Sequence, residues 1–225
     1  MVPSCPKISL STFDENGEIL EVRSYCLDHC PDPGKAKDSI VNYIKNHETI
    51  IGLNASGLTF RDENFTDKRF YGCNFVHCTF MNIKSKNLRS RTSFFDYAIF
   101  HDCNFVTSNF QFTSFSGCTF YSTLFTASEM IQSNFNGIQS FQSSFDDSDL
   151  FNSRFNKANL VNTSFRNCNL KRADFYSSSR TNVSFKMSNT REARFKLGGS
   201  ELYTGVEQES AQDIAELENN TGGAK

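Results

Sequence analysis

The chain has 225 residues, no tryptophan and only four prolines. No apolar run approaches the roughly 18 residues that a membrane span needs. Met1 to Leu10 carry no apolar stretch of about 7–15 residues, the core of a secretory leader. With a mean hydropathy of −0.46, the expectation is a soluble, cytoplasmic protein. Neither sign of charge dominates: 23 basic side chains stand against 25 acidic ones, so the chain as a whole calls for no polyelectrolyte partner. A glycine-rich phosphate loop and an H-E-x-x-H zinc helix are both missing. His29, His47, His77 and His101 are the only histidines. His101 adjoins Asp102, but neighbours on a strand point to opposite faces, so no acid–base pair is expected. The sequence therefore yields no catalytic, cofactor-binding or metal site, and the chain is not read as an enzyme.

What is present is phenylalanine, 24 residues of it. Nineteen occupy multiples of five, from Phe60 to Phe195; only Phe13, Phe94, Phe112, Phe141 and Phe151 do not. Met130, Leu150, Leu160 and Leu170 fill the same phase. Two residues earlier the side chain is small, as at Cys73, Cys78, Ala98, Cys103, Ser108, Thr113, Cys118, Ala158 and Cys168. One residue earlier it is often Asn, Asp, Ser or Thr, which bond locally in turns. A period of five fits neither a helix at 3.6 nor a strand at 2. It fits a chain that turns a corner every five residues and points one large side chain inward from each side. Four sides make a square coil of twenty residues. Positions 56–195 then supply seven coils, a rod roughly 30–35 Å long at strand spacing. Phe75, Phe95, Phe115, Phe135, Phe155, Phe175 and Phe195 form one inward stack.

These pentads, with Ala158-Asn159-Leu160 and Ala173-Asp174-Phe175 among them, resemble the pentapeptide-repeat family, whose motif is A(D/N)LXX or its Phe variant. The likeness covers about 140 of the 225 residues, and 23 of 28 successive pentads hold Phe, Leu or Met in one phase. It implies an all-β solenoid, a right-handed quadrilateral β-helix. Around that core the sequence suggests three parts: 1–50, an N-terminal hairpin-plus-helix cap; 51–196, the β-helix; and 197–225, a short helix and disordered tail. Asn16-Gly17 between apolar strands signals the hairpin. Asp32-Pro33 signals a helix start, and Ile40, Tyr43, Ile44 and His47 follow on one face. Val206, Ser210, Ile214 and Leu217 suggest the C-terminal helix, a route to a homodimer.

The pattern falters in places. Ser85 and Ser90 take large positions while Ile83 and Leu88 take small ones, in a stretch that carries Lys84, Lys86, Arg89 and Arg91. Either the coil is distorted there or about ten residues loop outward, and these four basic residues form the candidate partner surface. At Ser140 the flanking Ile138 and Phe141 are available to fill the space. Arg180 and Thr190 stand at large positions near the end. Glu63 and Lys68 stand at small ones near the start and need partners or an open end.

Eight cysteines without a secretory leader argue against a disulfide framework. Cys26, His29 and Cys30 form a local cluster with a spacing that zinc sites use. No second pair is evident and only Cys5 could join, so their reading is structural. Charge is segregated. Acidic residues number 8, 11 and 6 in 1–50, 51–196 and 197–225, and basic ones 5, 17 and 1, for nets of −3, +6 and −5.

These features point first to a non-enzymatic, rigid scaffold for protein–protein interaction, without cofactor or membrane. The resemblance offers an alternative, a DNA-mimicking, topoisomerase (gyrase)-binding protein of the quinolone-protection type, and it leaves secretion as a bacterial effector open. A second alternative is direct nucleic-acid binding by Lys84, Lys86, Arg89 and Arg91 with Arg166, Lys171, Arg172, Arg191, Arg194 and Lys196, through salt-dependent phosphate contacts.

Overall fold

A corner every five residues has a visible backbone cause. From Gly52 to Glu192 every fifth residue has a positive φ, between 48° and 78°, and twenty-four of these residues are not glycine. Such a conformation costs an L-residue about 1–2 kcal/mol, so the surrounding lattice of bonds must hold it. One part of that lattice is local: in many pentads the side chain just before the inward residue, where it is Asn, Asp or Ser, accepts the N–H two positions on. Asn64 accepts from Thr66 (2.9 Å), Asn74 from Val76 (3.0 Å), Asp149 from Phe151 (3.0 Å) and Asp174 from Tyr176 (3.1 Å).

The computed structural model describes residues 5–20 and 24–195. From Thr49 onward the chain is a right-handed, four-sided β-helix of about seven turns. Residues twenty apart pair in parallel on every side. Side 1 begins with the strands Thr49–Ile51, Arg69–Tyr71 and Arg89–Arg91. Side 2 is linked by bridges running from Asn54 through Asn74 and Phe94 to Arg194. Side 3 is a seven-stranded sheet from Thr59–Arg61 to Ser179–Thr181. Side 4 is bridged from Asn64 through Lys84 and Asn104 to Ser184. The coil therefore starts two pentads before position 56, because Ile50 and Ala55 are already inside.

Inside, the phenylalanines stack by side. On side 2, Phe75, Phe95, Phe115, Phe135, Phe155, Phe175 and Phe195 lie 4.7–5.1 Å apart, ring on ring. Rings from neighbouring sides meet edge to face, as Phe120 and Phe125 do at 89°. Both are favoured aromatic arrangements. The small position holds more than a small side chain. Ser128 Oγ donates to Phe105 O (3.0 Å) and accepts the N–H of Ser108 (3.0 Å). Cys78 and Cys118 donate to Ala55 O and Phe95 O at 3.0 and 2.9 Å. These groups join each turn to the one before it from inside, so a donor of small volume suits the position better than alanine alone.

The irregular pentads stay within the coil. Lys84 bridges to Asn64 and Asn104, and Arg89–Arg91 pairs with Arg69–Tyr71, so residues 81–92 neither distort nor project. Ile83 and Leu88 are buried at the small position beside buried Ser85 and Ser90. Large and small have exchanged places, which conserves interior volume. At Ser140 only Ile138 fills the core. Phe141, one residue along a strand, points outward and stacks on Tyr121 at 5.3 Å. Ser140 Oγ instead lies 3.0 Å from Thr163 Oγ1. Arg180 and Thr190 are both buried, and the Arg180 guanidinium stands 5.2 Å from the Phe195 ring.

The leading edge of the coil is covered. Thr12–Phe13 and Ile19–Leu20 pair as an antiparallel hairpin, with Gly17 at φ +82°. Asp14 accepts the N–H groups of Asn16 and Glu18 and so closes its turn. Helix α1, Pro33–Asn46, is capped by Asp32, which accepts the Lys35 N–H, and buries Ile40, Val41 and Ile44. Ser11 and Asn54 exchange bonds, N–H to Asn54 O (2.9 Å) and N–H to Ser11 Oγ (2.8 Å). This contact covers part of an exposed strand edge. Glu63 pairs with Lys45 at 3.2 Å, and Lys68 Nζ donates to Lys45 O and His47 O at 2.8 Å. The two charges at small positions of the first turn thus hold the end of α1, where a cation suits the helix dipole. Among the described residues no helix is long and apolar enough to cross a membrane. The helix expected over Val206–Leu217, and with it the dimer contact, lies outside the described residues.

Candidate functional site

The outward side chains of a rigid coil form columns with one residue per turn. The candidate basic surface divides between two columns' sides. Lys84 and Lys86 face outward on side 4, while Arg89 and Arg91 lie on side 1, around one corner. Arg91 donates to Gln111 Oε1 (3.1 Å) and stands 5.9 Å from the Phe112 ring. A groove of about 310 Å³ runs along this corner, lined by Arg69, Arg89, Asp67, Asn109 and Glu129. It is not purely basic: Asn109 donates to Glu129 Oε2 (2.6 Å), and Arg69 pairs with Glu48 at 2.9 Å. Lys171, Arg172 and Arg191 stand apart, at the far end of side 1, gathered about Glu192. The Arg172 guanidinium is the main group holding that carboxyl below its usual range. Arg194 pairs with Asp174 on side 2. Arg166 is on side 4, and Lys196 lies outside the described residues. The basic residues that composition groups together therefore do not form one surface, and those about Glu192 are neutralised in part.

The diagonally opposite corner, between sides 2 and 3, carries exposed apolar residues at mid-rod, with Tyr121 at the far edge of side 3. Phe94 (50% exposed), Tyr97 (59%) and Ile99 (42%) follow one another around a single turn, and Tyr121 (41%) stands on the next. Stacking extends the surface along the rod, His77 on Tyr97 at 5.3 Å and Tyr121 on Phe141 at 5.3 Å. Sequence reasoning missed this patch. The signal was the off-phase aromatics: any ring outside the multiple-of-five phase and outside the small position faces solvent. An outward aromatic cluster was not expected, and the structure corrects that.

His101 and Asp102 correct another expectation. The imidazole Nδ1 lies 2.7 Å from the carboxylate. Asp102 occupies a corner with φ +53°, so strand alternation does not apply between the two. Both side chains are about half exposed or more.

Two further places hold clustered polar groups. A groove of about 790 Å³ lies between the hairpin and α1. Three of its titratable residues are engaged in local structure, Asp14 in the hairpin turn, Asp32 in the helix cap and His47 Nδ1 with Tyr43 O (2.8 Å). Nearby, Cys26 Sγ lies 3.1 Å from His29 Nδ1 and 3.5 Å from Cys5 Sγ. The bond to His29, foremost, brings the Cys26 thiol down to about 7. Cys30, which the sequence grouped with them, is not part of the cluster. The core thiols behave oppositely: burial pushes Cys103 up to about 11 and Cys168 up to about 12.

Residues 124–195 match the family model described as a pentapeptide repeat region. No curated protein matches the chain. Among solved structures it is similar to the pentapeptide repeat protein Rfr23 from the cyanobacterium Cyanothece 51142, at 12% identity and TM-score 0.39, over 72% of this chain and 98% of that one. It is similar also to HetL from the cyanobacterium Nostoc sp. strain PCC 7120, a protein involved in heterocyst differentiation regulation (9%, 0.39, 71% and 92%). A third is QnrB1 at full length, a plasmid-mediated fluoroquinolone resistance protein (13%, 0.21, 62% and 92%).

Proposed function

We propose that this chain, whose residues 124–195 match a pentapeptide repeat region, acts as a non-enzymatic, rigid scaffold whose surface docks another protein. The observation that supports this most is the exposed apolar corner of Phe94, Tyr97, Ile99 and Tyr121. Contiguous exposed apolar surface marks interaction sites, and aromatic residues are enriched where partners bury each other. Here the corner residues are fixed by a backbone bonded on both sides, so docking meets little ordering cost. The basic residues Lys84, Lys86, Arg89 and Arg91, on the opposite corner, form a second surface suited to steering an acidic partner.

Affinity capture from native lysate tests the reading. The unmodified protein retains a specific partner, and Tyr97→Ser with Tyr121→Ser releases it. If no partner is retained, or if the double variant retains it equally, the apolar corner is not the docking site.

A DNA mimic acting on a topoisomerase is the other reading the family allows. Such a mimic needs a continuous acidic face, whereas the repeat carries a net +6 and arginines interrupt side 1 from Arg69 to Arg191. A gyrase supercoiling assay unaffected by micromolar protein removes it.

A further inference from the structure

Cys5 converges with Cys26 and His29 although it stands 21 residues before Cys26, and the short turn explains the approach of the other two. Residues 27–29 form a single 3-10 turn with Cys26 as its N-cap. In that geometry side chains three apart eclipse, which sets the His29 ring against the Cys26 sulfur. Cys5 Sγ lies against Cys26 Sγ, and the three ligand atoms all lie within 4.8 Å of one another.

We propose that Cys5, Cys26 and His29 bind a thiophilic divalent cation of the zinc class. Bond lengths of about 2.3 Å to sulfur and 2.0 Å to nitrogen in a tetrahedron put sulfurs about 3.8 Å apart, and sulfur and nitrogen about 3.5 Å apart. The observed separations of 3.5 Å between sulfurs and 3.1 Å from Cys26 to His29 need only a few tenths of an ångström of expansion. Two thiolates and one imidazole match the donor preference of such an ion. Three protein ligands leave one coordination position for water or an incoming group. The five thiols inside the coil offer no such site, since each is enclosed and donates to main-chain carbonyls such as Phe80 O and Phe145 O.

The site has a structural place in the fold. Leu27, between two of the ligands, packs against Gly57 so closely that a Cβ there would lie 2.9 Å from Leu27 Cδ2. An ion held by Cys26 and His29 would fix this turn on the first coil, and through Cys5 it would tie the leading segment to it.

The test uses the full chain, reduced and stripped with chelator, then titrated with cobalt(II) and back-titrated with zinc(II). One equivalent of cobalt should give thiolate-to-metal charge transfer and tetrahedral d–d absorption, and zinc should displace it. His29→Ala, at an exposed position, and Cys26→Ser should each weaken binding by more than about 100-fold, beyond the 10–100-fold typical of outer-shell changes. Cys168→Ser should leave it unchanged. The proposal is overturned if cobalt gives no tetrahedral spectrum, or if His29→Ala leaves the spectrum intact. It is overturned equally if Cys5 and Cys26 form a disulfide whose reduction restores no cobalt binding.

Discussion

Phe115 illustrates what one inward side chain contributes. Its ring has no exposed surface and lies 5.1 Å from both Phe95 and Phe135. Phe115→Ala should cost about 3–5 kcal/mol, while Gln111→Ala, which loses only exposed bonds to Arg91 and Glu129, should cost less than about 1 kcal/mol. The urea midpoints of the two variants check this. Buried hydroxyls divide in the same way. Ser128 both donates and accepts in the core, so Ser128→Ala should cost about 1–3 kcal/mol. Ser90 is equally buried but its hydroxyl has no hydrogen-bond partner; removing it in Ser90→Ala should be neutral or stabilising, because an unbonded buried hydroxyl is itself unfavourable. A drop in melting temperature for Ser90→Ala would contradict that assignment.

At the scale of the coil, corners communicate between turns. Gly117 has φ +66°, and a Cβ there would meet Tyr97 Cδ1 of the preceding turn at 2.6 Å, whereas a Cβ at Gly137, φ +68°, meets nothing within 4 Å. Gly137→Ala should cost about 1–2 kcal/mol for the backbone alone. Gly117→Ala should cost about 0.5–1.5 kcal/mol more, the price of pushing the tyrosine off its rotamer. In a Tyr97→Ala background that excess should vanish, which a double-mutant cycle measures directly.

The coil was legible in the sequence because one spacing, repeated from Phe60 to Phe195, has a single geometric solution. The exchange of Ile83 with Ser85 and of Leu88 with Ser90 was visible too, but not that the coil would absorb it without distortion, since the interior conserves volume rather than position. The His101–Asp102 contact was hidden because corner backbone breaks strand alternation. The apolar corner was present in the off-phase residues Phe94 and Tyr97, yet only the four-sided winding shows that Ile99 and Tyr121 join them. The meeting of Cys5 with Cys26 depends on the path of the leading segment, which no local pattern specifies.

For the molecule as a whole, the interior thiols link stability to alkalinity. Burial raises Cys73 and Cys103 to about 11, and Cys78 and Cys168 to about 12, from an ordinary value of 9.0. Below pH 9 these thiols are protonated whether the chain is folded or not, and their contribution is fully present. Above pH 9 only the unfolded chain releases the protons, so stability falls with rising pH until the folded values are passed. The slope is at most about 1.4 kcal/mol per pH unit for each thiol. Denaturant midpoints between pH 8 and 11 should decline accordingly, and Cys168→Ala should make the decline shallower. Reaction with a thiol reagent at pH 7.5 should follow the same division, Cys5, Cys26 and Cys30 outside the coil first and the interior cysteines only on unfolding.

Four pentads to a turn also sets a rule for length. Excising residues 146–165 would remove one storey, about 4.8 Å of height, and every later side chain would keep its compass direction. Excising five residues would swing all that follows through a quarter revolution, carrying Arg172 and Glu192 to a different wall. Insertions and deletions counted in twenties therefore change only how tall the protein is, whereas those counted in fives change what each wall displays.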